Sequence, residues 1–339
     1  MGTKLISRYG EPVAPAPTST DHPSLSSPTD APSRRRPTRV VALVALAAVI
    51  GIGAAACSDD DTAGGTPEGD CPVAPVSVVV SVDQWGDIVS DLAGDCAEVT
   101  TIIDGSAGDP HEFEPTPSDI AAFEGADVVV VNGLGYDTWA TDAVDALSDK
   151  PTVVDAGAIG GFSDGDNPHV WYDPTVVRET ATAVTQALQD VSVDEAEEYY
   201  TSRFQDWEAS MQPYDAAVER LKAGATGRTY AATESVFDLM AGAIGLSDLT
   251  PTGYQDAAAN ESEPAAADVA EFESLLKGGT VDVLVFNTQT EGALPDQLRT
   301  VAEGADVPVV EVTETVPDDT TFVEWQVDQL NALATALGL

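Results

Sequence analysis

The chain contains three histidines, and two of them stand in loops with unusual neighbours. His111 lies in Gly108-Asp109-Pro110-His111-Glu112-Phe113-Glu114-Pro115, and His169 in Asn167-Pro168-His169-Val170-Trp171-Tyr172-Asp173-Pro174. Each follows a proline and precedes a capped helix start by a few residues. Neutral imidazole is an ordinary ligand of zinc and related ions, and carboxylates complete such sites. The third, His22, falls in the N-terminal segment and drops out. Two histidine loops also suit a hydrolytic zinc centre, but such a site needs an open position for water and usually a separate base. The chain has no His-Glu-x-x-His helix, Gly-x-Ser-x-Gly turn or Walker-type phosphate loop.

The elements that must carry these loops alternate. Val76–Val82, Val99–Ile103, Val128–Val131 and Val153–Val154 read as strands, with helices such as Trp85–Leu92 and Pro117–Glu124 between them. Thr229–Ala232, Val281–Phe286 and Val307–Val312 repeat the pattern later. Strand–helix alternation means βαβ units and mainly parallel sheets. Thr116-Pro117-Ser118-Asp119 and Asp173-Pro174 mark two helix starts, and Ser192 with Glu195 reads as a capping box for another. From there Tyr200, Phe204, Trp207, Met211, Tyr214, Val218 and Leu221 recur at spacings of three and four, one apolar stripe along a helix. Nearly thirty residues at about 1.5 Å each make it longer than one small lobe needs. The expected fold class is therefore α/β: two βα lobes with mainly parallel sheets, joined by one long connecting α-helix. The expected divisions are a tail and signal at 1–57, a flexible acidic tether at 58–75, an N-lobe at 76–190, the connecting helix at 191–223 and a C-lobe at 224–339.

The N-terminus supplies the compartment. Arg34-Arg35-Arg36-Pro37-Thr38-Arg39 precedes an uncharged apolar run from Val40 to Ala56, which closes on Gly53-Ala54-Ala55-Ala56-Cys57. A positive region, an apolar region and small residues before a cleavage point are the parts of a secretory signal. The run is shorter than the about 20 residues of a membrane span. The cysteine after the small residues makes it resemble a bacterial lipoprotein signal, cut before Cys57, whose thiol then carries lipid. An uncleaved anchor is the alternative, and either way the body is exported and tethered. In an oxidising compartment the remaining pair, Cys71 and Cys96, invites a disulfide, with two free buried thiols as the alternative.

The two histidine motifs resemble those of a known family. Asp109-Pro110-His111 with Glu114-Pro115-Thr116-Pro117-Ser118-Asp119, and Pro168-His169-Val170-Trp171 with Asp173-Pro174, are similar to motifs of the substrate-binding proteins of zinc and manganese ATP-binding-cassette importers. The resemblance covers essentially all of 76–339. It implies one divalent metal held between two lobes, two ligands from each, and delivery to the importer's permease and ATPase subunits. The third ligand is implied just past the first C-lobe strand, where Glu234 stands. The fourth is an acid after the last strand, where Glu314 stands. His111, Glu234 and Glu314 all lie in loops past the carboxyl ends of expected strands, where open α/β sheets bind ligands. A glutamate in the third place resembles the manganese-type members. Zinc binds more tightly than manganese to nearly any such set, so the cargo is read as Zn2+ or Mn2+.

Composition fits this reading. Residues 58–339 carry 55 of the 58 acidic side chains but only eight of the 14 basic ones, within a total formal net charge of −44. Such a surface repels phosphate backbones and excludes a nucleic-acid partner. The expected protein is a monomeric metal receptor, not an enzyme, anchored through Cys57 to the outer face of a bacterial cell membrane. An exported zinc-dependent hydrolase is the competing reading.

Overall fold

The computed structural model describes residues 70–105, 110, 113–260, 262–290 and 292–339. The expected signal, Cys57, most of the expected tether and His111 lie outside them. Two four-stranded sheets form the frame. The first contains β1 (Val76–Val82), β2 (Ala97–Ile103), β3 (Val128–Val131) and β4 (Thr152–Asp155). The second contains β5 (Thr229–Ala232), β6 (Ser247–Asp248), β7 (Val283–Asn287) and β8 (Val309–Val312). All their pairings are parallel, and the orders β2-β1-β3-β4 and β6-β5-β7-β8 are the same topology used twice. Parallel strands covered on both faces become continuous apolar runs. Val128–Val131 and Val283–Phe286 are such runs, buried at every position.

Helices α1 (Asp83–Ala93), α2 (Pro117–Ala122), α3 (Thr138–Ala146), α4 (Ala156–Ile159) and α5 (Pro174–Val191) accompany the first sheet. Then follow α6 (Glu197–Ser210) and α7 (Gln212–Gly224). Helices α8 (Asp238–Ile244), α9 (Thr252–Ala258), α10 (Ala266–Lys277), α11 (Ala293–Gly304) and α12 (Phe322–Leu337) belong with the second sheet. The sequence signs at two of these starts are realised. Thr116 and Asp119 form a reciprocal capping box, and Asp173 caps α5 through the amides of Thr175 and Val176.

The connecting run departs from one unbroken helix. It begins with a 3₁₀ turn at Asp194–Ala196 and divides at Met211 into α6 and α7. Pro213 is the cause, because it has no N–H for the carbonyl of Ala209 and its ring crowds that oxygen. The path still continues, since Met211 N donates to Trp207 O at 3.1 Å and Asp215 N to Met211 O at 3.0 Å. The stripe therefore survives: Tyr200, Trp207, Met211, Tyr214 and Leu221 are all buried. Ser192 does not cap this run. It ends α5, and its hydroxyl meets Tyr200 Oη at 3.1 Å.

Packing assigns the two halves of the connection different partners. Helix α6 lies against α1 and α5, whereas α7 lies against α8 and α12. One apolar core consequently runs from Val78 and Val80 through Tyr200 and Tyr214 to Val283 and Leu330. A core shared this way resists large rigid-body movement of one sheet against the other.

A disulfide joins Cys71 to Cys96, fastening the chain ahead of β1 to the turn after α1. Crosslinks of this loop length stabilise by about 3 kcal/mol, chiefly by restricting the unfolded chain. The double variant C71S/C96S is expected to lose about that much, read as a lower midpoint in guanidinium unfolding under oxidising conditions.

Candidate metal centre

The ends of three parallel strands converge on one spot in the second sheet. Glu234 follows β5, Asn287 ends β7 and Glu314 follows β8. In the order β6-β5-β7-β8 the chain reverses its direction of winding between β5 and β7, which opens a crevice at the carboxyl ends. His169, from the first-lobe segment ahead of α5, enters the same place. Ligand-capable atoms of His169, Glu234 and Glu314 lie within 4.8 Å of one another. His169 and Glu314 are almost fully buried, and Glu234 is half-buried. His169 Nε2 stands 3.4 Å from Glu314 Oε2.

Hydrogen bonds fix which atom of the imidazole faces inward. Asn167 Nδ2 donates to Ser235 O at 2.7 Å, and Asn167 Oδ1 accepts the amide of His169 at 3.0 Å. The amide group can therefore point only one way. Its Oδ1 lies 2.7 Å from His169 Nδ1, so Nδ1 carries a proton and Nε2 is the nitrogen turned towards the two glutamates. The loop itself is braced from behind. Asn132 Nδ2 donates to Pro168 O, Trp85 Nε1 donates to Asn132 Oδ1, and Asp137 accepts the amides of Asn132 and Gly133. Trp171 and Tyr136 meet the imidazole edge-on, with ring centroids 5.3 and 6.2 Å away.

The carboxylates are held equally closely. Asn287 Nδ2 donates to Glu234 Oε2 at 2.8 Å and to Glu314 Oε1 at 2.9 Å, bridging them. Tyr136 Oη donates to Glu314 Oε2 at 3.2 Å, and Thr290 Oγ1 donates to Glu234 Oε2. Burial and the neighbouring Glu314 charge hold the Tyr136 hydroxyl well above its usual range, so it stays a donor. Gln289 Oε1 accepts the amides of Glu314 and Thr315, and Gln84 Nε2 donates to Glu314 O at 2.7 Å. Two acids and one imidazole, packed together and oriented by neutral amides, can do one thing well: surround a divalent cation.

Of the four residues singled out from the sequence, the structure brings together His169, Glu234 and Glu314, while His111 lies outside the described residues. Sequence reasoning missed Asn287, Asn167, Tyr136, Gln84 and Gln289. For Asn287 a signal existed: a polar residue closing the apolar run Val283–Phe286 sits at the carboxyl edge of a buried strand.

Next to the centre, Asp83 ties the lobes. Its Oδ2 accepts the amides of Gly105 at 3.1 Å and Val316 at 3.2 Å. Burial pushes its carboxyl up to about 7. Between about pH 4 and pH 7 the folded chain then keeps a proton that the unfolded chain has released. Asp83 therefore makes unfolding easier as pH rises through that window, by up to about 1.4 kcal/mol for each pH unit. Unfolding midpoints in EDTA should fall from pH 4.5 to 7.5 less steeply in Asp83→Asn than in the parent chain.

Known proteins resemble this chain in sequence and in fold. A family model described as "Zinc-uptake complex component A periplasmic" matches residues 78–336. The manganese-binding lipoprotein MntA of Halalkalibacterium halodurans is 35% identical over 155 residues, 44% of this chain. That match spans 50% of the relative, about half its length. The high-affinity zinc uptake system protein ZnuA of Bacillus subtilis is 24% identical over 264 residues, 72% of this chain and 80% of the relative. Among solved structures, the periplasmic zinc binding protein TroA from Treponema pallidum superposes with a TM-score of 0.66 at 20% identity. It covers 78% of this chain and 99% of its own.

Proposed function

The chain belongs to the family of periplasmic zinc-uptake components, and from that premise we propose that it is an extracytoplasmic receptor for one divalent transition metal. It delivers the ion, zinc or manganese, to the permease of an ABC importer driven by an ATPase subunit. The observation that carries this reading is the gathering of His169, Glu234 and Glu314 within 4.8 Å from both lobes. His111, placed by its motif, is the fourth ligand. The lobes 76–190 and 224–339, joined by 191–223, each contribute two. The receptor is a monomer held at the outer face of the cell membrane by lipid on Cys57.

Relatives of both kinds favour keeping the two metals together: one is named for manganese, another for zinc. Two carboxylates harden the site towards manganese, while the Irving–Williams order gives zinc the tighter complex. The continuous core leaves the loops after β5 and β8, rather than a wide hinge, as the parts that register the ion. A hydrolase reading gains no support from the family, which is one of transport receptors.

Titrating metal-stripped protein with zinc and with manganese should give one tight site per chain and no turnover of simple esters or phosphoesters. Binding of neither metal, or turnover lost with His169→Ala, would contradict the proposal. The Asn167 contacts yield a graded version. Asn167→Ala frees the imidazole to rotate and should weaken binding by about 10–100-fold, the usual cost of losing a ligand's hydrogen-bond partner, measured by chelator competition.

A further inference from the structure

The residue that ends β7 holds both glutamates of the centre through one side chain. Asn287 is 1% exposed, and its backbone amide donates to Thr233 Oγ1 at 3.1 Å, next to Glu234 in the chain. Its Oδ1 accepts the amide of Gln289 at 3.1 Å, which turns Nδ2 and both its protons towards the carboxylates. One proton goes to Glu234 Oε2 at 2.8 Å and the other to Glu314 Oε1 at 2.9 Å. Glu234 Oε2 also accepts from Thr290 Oγ1, three residues along the same loop, so two donors meet its two lone pairs. Glu314 turns its other oxygen, Oε2, towards Tyr136 Oη and to within 3.4 Å of His169 Nε2. Each glutamate thus has one oxygen engaged by the amide of Asn287. A carboxylate chelates an ion only when both its oxygens are turned to it, and these two are each drawn back by one.

We propose that Asn287 is a specificity-determining residue of this centre: it holds Glu234 and Glu314 as one-oxygen ligands and so favours zinc over manganese. The inference rests on the receptor reading above and deepens it. With His169 and His111, two one-oxygen carboxylates supply four ligand atoms, the number zinc takes in tetrahedral sites. Manganese prefers six oxygen-rich ligands, and a carboxylate approaches that number by turning in its second oxygen. Here that turn breaks the hydrogen bonds from Asn287, and for Glu234 the one from Thr290 as well. It also leaves a buried amide unmatched, which adds to the cost. Zinc needs no such turn. Asn287 acts through the two glutamates, as a positioning residue without contact with the ion.

The test compares binding of zinc, manganese and cobalt by the full metal-stripped parent chain, Asn287→Ala and Thr290→Val, using chelator competition. In Asn287→Ala the preference for zinc over manganese should fall by at least about tenfold, the low end of what outer partners of a ligand contribute. Thr290→Val keeps the side-chain shape and should move the ratio the same way by less. It decides the matter should Asn287→Ala fail to fold. Cobalt reports the ligand number, because four-coordinate cobalt absorbs strongly in the visible and six-coordinate cobalt weakly. The parent should give the strong band, and Asn287→Ala a weaker one per bound ion. A weak parent band, or a zinc-to-manganese ratio unchanged in both variants, would overturn this proposal alone. A parent chain that binds none of the three ions would overturn the receptor reading with it, so the two failures are distinguishable.

Discussion

His169→Ala is expected to lower affinity for zinc and for manganese by more than about 100-fold, beyond the usual cost of losing an outer partner of a ligand. The imidazole is held ready on several sides. Asn167 fixes its orientation, Asn132 holds the carbonyl of the preceding Pro168, and Trp171 walls one edge. Its Nε2 is therefore aimed before any ion arrives, and little ordering cost is left for binding. Removing the ring leaves Glu234 and Glu314 facing each other with only Asn287 between them. A remnant richer in carboxylate favours hard ions, so zinc should suffer more than manganese. Competition against a chelator of known affinity checks both numbers. Equal affinity in parent and variant would remove His169 from the ligand set.

Trp171→Ala is expected to destabilise the fold by about 3–5 kcal/mol, the range for truncating a buried aromatic. Trp171 is fully buried and contacts Tyr136, His169 and Tyr172, with centroids 5.1, 5.3 and 6.3 Å away. It belongs to the core that runs through both lobes. The same cavity loosens the wall behind His169, so metal affinity should fall together with stability. Trp171→Phe should recover much of both. Guanidinium unfolding of the metal-free proteins, followed by titration at a temperature where each is folded, separates the two effects.

The alternation of valine-rich strands with capped helices made the two-lobe parallel frame legible, because local periodicity reports directly on burial. The resemblance of the histidine motifs picked out His169, Glu234 and Glu314, residues spread over almost 150 positions that the fold gathers into one crevice. The hydrogen-bonded shell was not legible. Asn287, Tyr136 and Gln84 matter because particular strand ends converge, and single-sequence periodicity says nothing about strand order. The break at Met211 illustrates a different limit. The apolar stripe continues through it, and Pro213, the residue that causes it, carries no weight in a reading of hydrophobic spacing. Ser192 had the chemistry of a cap but is engaged with Tyr200 instead. The acidity of the chain contributed least: two of its 58 acidic residues enter the centre, and a few others, such as Asp83 and Asp137, are buried acceptors of backbone amides.

The most direct measurement is anomalous diffraction at the metal edge from crystals of the chain loaded with one equivalent of zinc or manganese. The expected result is a single strong peak within about 2.0–2.3 Å of His169 Nε2 and of carboxylate oxygens from Glu234 and Glu314, with His111 completing the shell. A peak elsewhere on the acidic surface, with these three side chains unligated, would contradict it.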